Sequence, residues 1–108
     1  MSAQVMIDGQ LVSADRAVVS VFDRGFLYGD SVFETIRTYG GRPFELQAHV
    51  QRLARSAERV HIVLPVPAPT LVAEVSAAVE AAGFSESYIR LMVTRCPAVG
   101  PSVSRRST

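Results

Sequence analysis

The sequence predicts an α+β domain, a mostly antiparallel sheet with two helices packed on one face. Three observations lead to this fold class. Residues 31–39 alternate with the period of a strand, residues 46–60 repeat apolar side chains with the period of a helix, and Asp8-Gly9 and Gly40-Gly41 are hairpin turn signals. At 108 residues, the chain has room for one sizeable core.

Several short strands are predicted before the first helix. Val5–Ile7 and Gln10–Val12 flank the Asp-Gly turn, and the β-branched run in residues 16–22 predicts a third strand. Ser31–Tyr39 follows, and residues 42–46 are expected to return beside it after the Gly-Gly turn. One face of Ser31–Tyr39 carries an aromatic ring, a hydroxyl, a guanidinium and a phenol, which is typical of a solvated surface or of a polar site.

Two helices and a final strand are predicted in the second half. Apolar side chains recur at spacings of four and three from residue 46 to residue 60, which predicts an amphipathic helix. A proline-rich connector precedes a second helix over residues 70–82, for which Gly83 supplies the C-cap. Residues 85–94 are predicted to form a mostly buried strand, and the patternless residues 96–108 a disordered tail.

Composition excludes several functions. All eleven basic residues are arginines, so the chain contains no lysine and no side-chain primary amine. A net charge of +1 argues against a nucleic-acid clamp or a polybasic membrane anchor. The single Cys96 cannot form an internal disulfide, and no Cys/His cluster has metal-ligand spacing. Without a membrane-length apolar run or a signal-peptide pattern, we expect a cytoplasmic protein.

Residues 23–37 carry a specific motif, Asp-Arg-Gly-Phe-Leu-Tyr-Gly-Asp-Ser-Val-Phe-Glu-Thr-Ile-Arg. It resembles the N-terminal signature of the class IV, fold-type IV, pyridoxal-phosphate enzymes, namely branched-chain aminotransferases, D-amino-acid aminotransferases and aminodeoxychorismate lyases. The resemblance continues in the family's order through residues 49–53, 88–90 and 93–95. It implies a homodimer that uses pyridoxal 5′-phosphate to move an amino group between an amino acid and a 2-oxo acid, or to cleave aminodeoxychorismate.

The resemblance implies that Arg52 binds the cofactor phosphate, because the family uses the arginine of its helical His-x-Gln-Arg-Leu motif for this purpose. A planar guanidinium suits the task, since it donates two parallel hydrogen bonds to phosphate oxygens. The alternative is an exposed arginine that lies over the core.

Five further residues match family positions around the substrate pocket: Tyr28, Phe33, Arg37, Tyr88 and Arg90. Arg90 is predicted on an otherwise buried strand and therefore needs a charged partner. A substrate carboxylate would serve, and so would an internal salt bridge to Glu34 or Glu86.

Other polar residues are given structural roles. His49 is expected to cap or pack the first helix, and Asp23 and Asp30 to satisfy backbone groups of a turn. Cys96 has no adjacent base and is expected to be an inert thiol.

The sequence departs from the family in two respects, and the first is the missing cofactor lysine. Class IV enzymes bind their cofactor as a Schiff base to a lysine of a second domain, and arginine cannot replace that lysine because it stays protonated. We therefore expect residues 1–95 to be an N-terminal domain, the lysine-bearing domain to be absent, and the chain alone to be inactive with no catalytic residue of its own.

The family pattern stops directly after Thr94-Arg95, where a glycine is usual and Cys96 stands instead. Because residues 96–108 do not continue the family pattern, we hypothesise a shifted reading frame over this segment. Two alternatives stay open: one half of a split enzyme with a complementing C-terminal chain, or a non-catalytic module for phosphorylated ligands or dimerisation.

Overall fold

The computed structural model describes residues 4–95 and 105–107, and its elements form the predicted α+β fold. A 3₁₀ turn at Ala14–Arg16 precedes the first helix. In chain order, the other elements are β1 (Val5–Ile7), β2 (Gln10–Val12), α1 (Arg24–Tyr28), β3 (Ser31–Tyr39), β4 (Arg42–Pro43), α2 (Leu46–Arg59), α3 (Ala68–Ala82), β5 (Tyr88–Thr94) and β6 (Arg105–Ser107).

The strands form one sheet in the order β2-β1-β6-β5-β3-β4, and every pair of neighbours is antiparallel. The longest pairing joins β3 to β5, from Ser31 opposite Thr94 to Arg37 opposite Tyr88. On its other side, β3 pairs with β4 only at Thr38 and Tyr39. Within the described part of the chain, the earlier residues of β3 therefore have no strand on that side.

The core lies between the sheet and the two long helices. Ile36 of β3 and Leu91 and Val93 of β5 are at most 1% exposed, and they belong to one cluster with α2 and α3. The helices contribute Leu46, Val50, Leu53, Ala57, Leu71, Val75 and Val79. None of the described helices is both long and apolar enough to cross a membrane.

The buried positions of α2 follow the predicted repeat of four, three and four residues, which turns one stripe of the helix to the sheet. Next to this stripe lie His49, which is partly buried, and Arg52, which is exposed. The same amphipathic pattern that builds the core thus brings two polar side chains to its border, beside β3.

Two predicted strands are corrected. The strand expected over residues 16–22 is absent; the run contains the end of a 3₁₀ turn, and Val18 and Phe22 are 72% and 66% exposed. Strand propensity reflects how well a β-branched side chain packs on a partly buried sheet surface, and residues 16–22 have no such surface to pack on. The return strand over residues 42–46 is only Arg42–Pro43.

The expected disordered tail is also partly wrong. Arg105–Ser107 forms β6, whose backbone pairs with β1 on one side and with β5 on the other. Backbone pairing between two strands needs no apolar pattern in the added strand, so no sequence signal predicted it. The rest of that prediction, over residues 96–104 and residue 108, lies outside the described residues.

Candidate functional site

The alternation of β3 divides the predicted site residues between two faces of the sheet. Glu34, Ile36 and Thr38 are buried, and they face the helices. Phe33 and Arg37 are exposed on the opposite face, because successive side chains of a strand point to opposite sides. The helix side and the outer side of β3 are therefore two chemically different surfaces.

On the helix side, a buried carboxylate binds two residues of α2. Arg52 donates from Nε to Glu34 Oε2 at 2.8 Å and from Nη2 to Oε1 at 2.7 Å, which is a two-point contact. His49 Nδ1 lies 2.7 Å from the same Oε1. His49 and Arg52 are three residues apart and hence neighbours on the helix surface.

The contacts within this cluster shift the pKa values of Glu34 and Arg52 in favour of their charged forms. Burial raises the pKa of the Glu34 carboxyl, but hydrogen bonds from Arg52 and His49, with the positive charge of Arg52, outweigh burial and hold the pKa below its ordinary value. The hydrogen bond to Glu34 also raises the pKa of the Arg52 guanidinium. At neutral pH, Glu34 is thus a carboxylate and Arg52 a cation.

Arg52 keeps donors on its solvent side. A guanidinium carries five N–H groups, and Glu34 engages Nε and one hydrogen of Nη2. The side chain of Arg52 is 62% exposed, whereas that of Glu34 is 5% exposed. Glu34 therefore binds Arg52 on its buried side, and the Nη1 hydrogens and the second Nη2 hydrogen are available to an anion from solvent.

These contacts exclude the salt bridge between Arg90 and Glu34 and add a polar contact to the expected packing role of His49. Glu34 is not the salt-bridge partner of Arg90, because it faces the helices and binds Arg52 and His49. Arg90 is itself exposed on the outer face, so the expected burial of this arginine is wrong. His49 does more than cap or pack the helix, since its ring contacts the buried carboxylate.

The outer face of the β3–β5 pair brings together four of the five predicted substrate residues. Arg37 Nη1 donates to Tyr88 Oη at 3.1 Å, and the Arg37 guanidinium lies 5.4 Å from the centre of the Tyr88 ring. The Arg90 guanidinium lies 4.4 Å from the centre of the Phe33 ring. These contacts place two positive charges beside aromatic rings on the outer face of the sheet.

Tyr28 lies apart from that surface, at the end of α1 before Gly29, which adopts the left-handed conformation with φ 65°. Its side chain is 76% exposed. Since β3 begins at Ser31, the six residue-to-residue steps from there to Arg37 span about 20 Å of strand. The described chain thus brings Tyr28 to the start of β3 and Arg37 near its far end.

The Asp-Arg-Gly motif holds α1 against the end of β5. Asp23 accepts from the Gly25 backbone N–H at 2.8 Å, as expected for a turn residue, and also from Thr94 Oγ1 at 3.1 Å. A side chain at Gly25 would place its Cβ 2.4 Å from Thr94 Cγ2. Only glycine permits this close approach of α1 to the end of β5.

Arg95 joins the end of β5 to the end of α2. Its Nε donates to Asp30 Oδ2 at 2.5 Å, and its Nη groups donate to the carbonyl oxygens of Val60 and His61. Asp30 therefore pairs with an arginine through its side chain, which the expected turn role did not include. These contacts satisfy carbonyls beyond the last turn of α2 and fix the helix that carries Arg52.

The cluster of Glu34 and His49 around Arg52 was not predicted from the sequence. Two features of the sequence indicate it. A glutamate, Glu34, lies on the strand face that also carries Ile36, and the following helix has His49 and Arg52 three residues apart beside its apolar stripe. A carboxylate among core positions requires cationic partners on the element that covers it.

Comparison with known proteins decides the family. The profile of the amino-transferase class IV family matches residues 31–106, more than half of the chain. The chain belongs to this family. Class IV members similar to it include a Methanocaldococcus jannaschii protein assigned to the branched-chain-amino-acid aminotransferases, 40% identical over 92 residues that make up 85% of this chain and 32% of the relative.

Two other curated relatives have different activities. The D-alanine aminotransferase of Listeria innocua is 35% identical over 85% of this chain and 32% of its own length. The aminodeoxychorismate lyase of Bacillus subtilis is 45% identical over 54% of this chain and 20% of its own length. The class IV chain described here thus spans about a third of the length of the first curated relatives that it matches.

Solved class IV structures have the same fold in the corresponding region. The branched-chain aminotransferase from Thermoproteus uzoniensis, solved with norvaline, has a TM-score of 0.85 at 33% identity over all of this chain and 40% of its own. The T.th. branched-chain enzyme, solved with pyridoxamine 5′-phosphate, has a TM-score of 0.86 at 26% identity over 99% of this chain and 39% of its own. The expected family and fold class are confirmed.

Proposed function

We propose that this chain is the phosphate-anchoring N-terminal domain of a pyridoxal-phosphate enzyme. The enzyme moves an amino group between an amino acid and a 2-oxo acid, or cleaves aminodeoxychorismate. The observation that carries the proposal is the exposed Arg52 fork, which Glu34 binds from one side only. Because none of the 108 residues is a lysine, the chain alone is proposed to be inactive.

The residues present fit the phosphate group of the cofactor. Arg52 offers N–H donors with a fixed positive charge, and charge-assisted hydrogen bonds of this kind are the strong ones. When bound, pyridoxal phosphate supplies an electron sink for negative charge that develops on the substrate. The chain's contribution to that chemistry is to bind and orient the phosphate.

The outer face of the sheet is proposed to bind the substrate. Arg37 and Arg90 present positive charge that suits the carboxylate of an amino acid or a 2-oxo acid. Phe33 and Tyr88 stack on these guanidinium groups and limit their motion. Tyr28 is proposed to complete the wall at the start of β3.

A thermal-shift experiment tests the phosphate site. Pyridoxal 5′-phosphate and pyridoxamine 5′-phosphate at about ten times their Kd should raise the melting temperature of the chain by about 4 °C or more, since ligands stabilise the state they bind. Unphosphorylated pyridoxal at the same concentration is the control and should produce no shift. Equal shifts with pyridoxal and with its phosphate would refute the proposal.

Two other candidates are favoured by the same lack of lysine. One half of a split enzyme, or a non-catalytic module that binds phosphorylated ligands or dimerises, needs no amine on this chain. Restored amino transfer on mixing with a lysine-bearing C-terminal chain would identify the split enzyme. Phosphate-dependent binding with no activity under any pairing would identify the module.

The remaining proposals concern organisation. Residues 1–95 are proposed to form the domain, and residues 96–108 to be read in a shifted frame. The protein is proposed to be cytoplasmic, and the family resemblance implies a homodimer. The DNA on the 3′ side of the Arg95 codon tests the frame. A neighbouring frame that encodes a lysine-bearing class IV domain is the expected result, and the lack of one in either frame rejects it.

A further inference from the structure

We infer that Glu34 is a positioning residue, which holds the Arg52 guanidinium so that its remaining N–H groups point at the phosphate. The inference rests on the proposed function, because it concerns the same phosphate site. It assigns a role to a side chain that does not itself touch the ligand.

The geometry of the Glu34 carboxylate supports this role. The side chain is 5% exposed, and both of its oxygens accept hydrogen bonds from Arg52. A two-point contact fixes the plane of the guanidinium as well as its position, whereas a single contact leaves it free to rotate. The direction of the outward N–H groups is therefore set before any ligand arrives.

His49 fixes the carboxylate in turn. Its Nδ1 lies 2.7 Å from Oε1, the oxygen that also accepts from Arg52 Nη2. Because an ionised carboxylate only accepts, Nδ1 carries the proton in this contact. The Glu34 carboxylate is thus held by two residues of α2.

Stability alone is a poor explanation for a buried charge at this position. Glu34 lies on the strand face that carries Ile36, where an apolar side chain often gives equal or greater stability than an ion pair. Its partner Arg52 is 62% exposed and would be solvated without it. What Glu34 adds is order in a long side chain, which reduces the entropy lost when a phosphate binds.

Orientation and charge predict opposite effects for a neutral substitute. If only charge mattered, Glu34→Gln would remove a negative group near the site and strengthen phosphate binding. If Glu34 positions Arg52, the same substitution weakens binding, because the amide cannot accept from both Nε and Nη2. Glu34→Asp keeps the charge but shortens the reach, and it should also weaken binding.

The experiment is calorimetric titration of the full chain with pyridoxal 5′-phosphate and with inorganic phosphate. Both Glu34→Gln and Glu34→Asp should weaken binding about tenfold. This is the lower end of the range that is typical when a residue that orients a ligand-binding group is changed. Glu58→Gln is the control, because it removes one negative charge from an exposed position of the same helix. In parallel, the Arg52 Nε–H should exchange faster with solvent in Glu34→Gln, and the Arg55 Nε–H should not change.

The possible results distinguish the role inferred for Glu34 from the proposed phosphate-binding function. Unchanged or tighter binding in the Glu34 variants, with wild-type binding still dependent on phosphate, overturns the inference and leaves the proposed function. Wild-type protein that binds neither ligand overturns both. If thermal melting shows that Glu34→Gln is unfolded, Glu34→Asp decides by the same criterion.

Discussion

Arg52→Ala is expected to reduce the affinity of the chain for pyridoxal 5′-phosphate about tenfold to a hundredfold, the range that loss of hydrogen bonds to a charged group produces. The reason is that Arg52 is the exposed cation of the helix-side cluster and carries the donors not used by Glu34. Arg52→Lys should recover only part of the affinity, because an ammonium keeps the charge but loses the planar fork. Titration followed by fluorescence measures both variants.

Arg55→Ala is the matched control for this prediction. Arg55 is exposed on the same helix, three residues after Arg52, and carries the same charge. Its removal should change affinity by less than about twofold at physiological salt, where exposed charges are screened. Equal losses in the Arg52 and Arg55 variants would mean that phosphate is attracted by the general charge of α2, without a specific site.

Leu53→Ala is expected to lower the free energy of unfolding by about 2–5 kcal/mol, as for other large-to-small substitutions in a core. Leu53 is 0% exposed and lies in the cluster that joins α2 to the sheet. The residue next to it is Arg52, so the same turn of helix serves the core and the site. Urea denaturation measures the loss.

Gln51→Ala supplies the comparison for this core variant. Gln51 is exposed on α2, and substitutions at such positions usually change stability by no more than about 0.5 kcal/mol. If Leu53→Ala were as stable as Gln51→Ala, the packing of α2 against the sheet would be wrong. The placement of Arg52 beside β3 would then lose its basis.

The sequence predicted those elements whose apolar pattern is long. β3 alternates over nine residues and α2 repeats over fourteen, so period alone identifies each of them. Short elements depend on contacts distant in sequence. Asp23 caps the five-residue α1 locally, but the packing of Gly25 on Thr94 joins residues distant in sequence and does not follow from local propensity.

The site was predicted in part, through family resemblance. Phe33 and Arg37 were expected to share a strand face, and they do, because period two requires it. Which face the helices cover is a tertiary property, and it determines that Glu34 is buried against α2 while Arg90 is exposed. The partner of Arg52 therefore became visible only when strand and helix were placed together.

Site-resolved NMR of the arginine side chains tests the central claim, that phosphate binds on the helix side of β3 and carboxylate on the outer face. Addition of pyridoxal 5′-phosphate should shift the Arg52 Nε–H resonance first, with Arg37 and Arg90 unaffected at low ligand concentration. A simple 2-oxo acid should instead shift Arg37 and Arg90. A phosphate response at Arg37 or Arg90 with none at Arg52 would contradict the account.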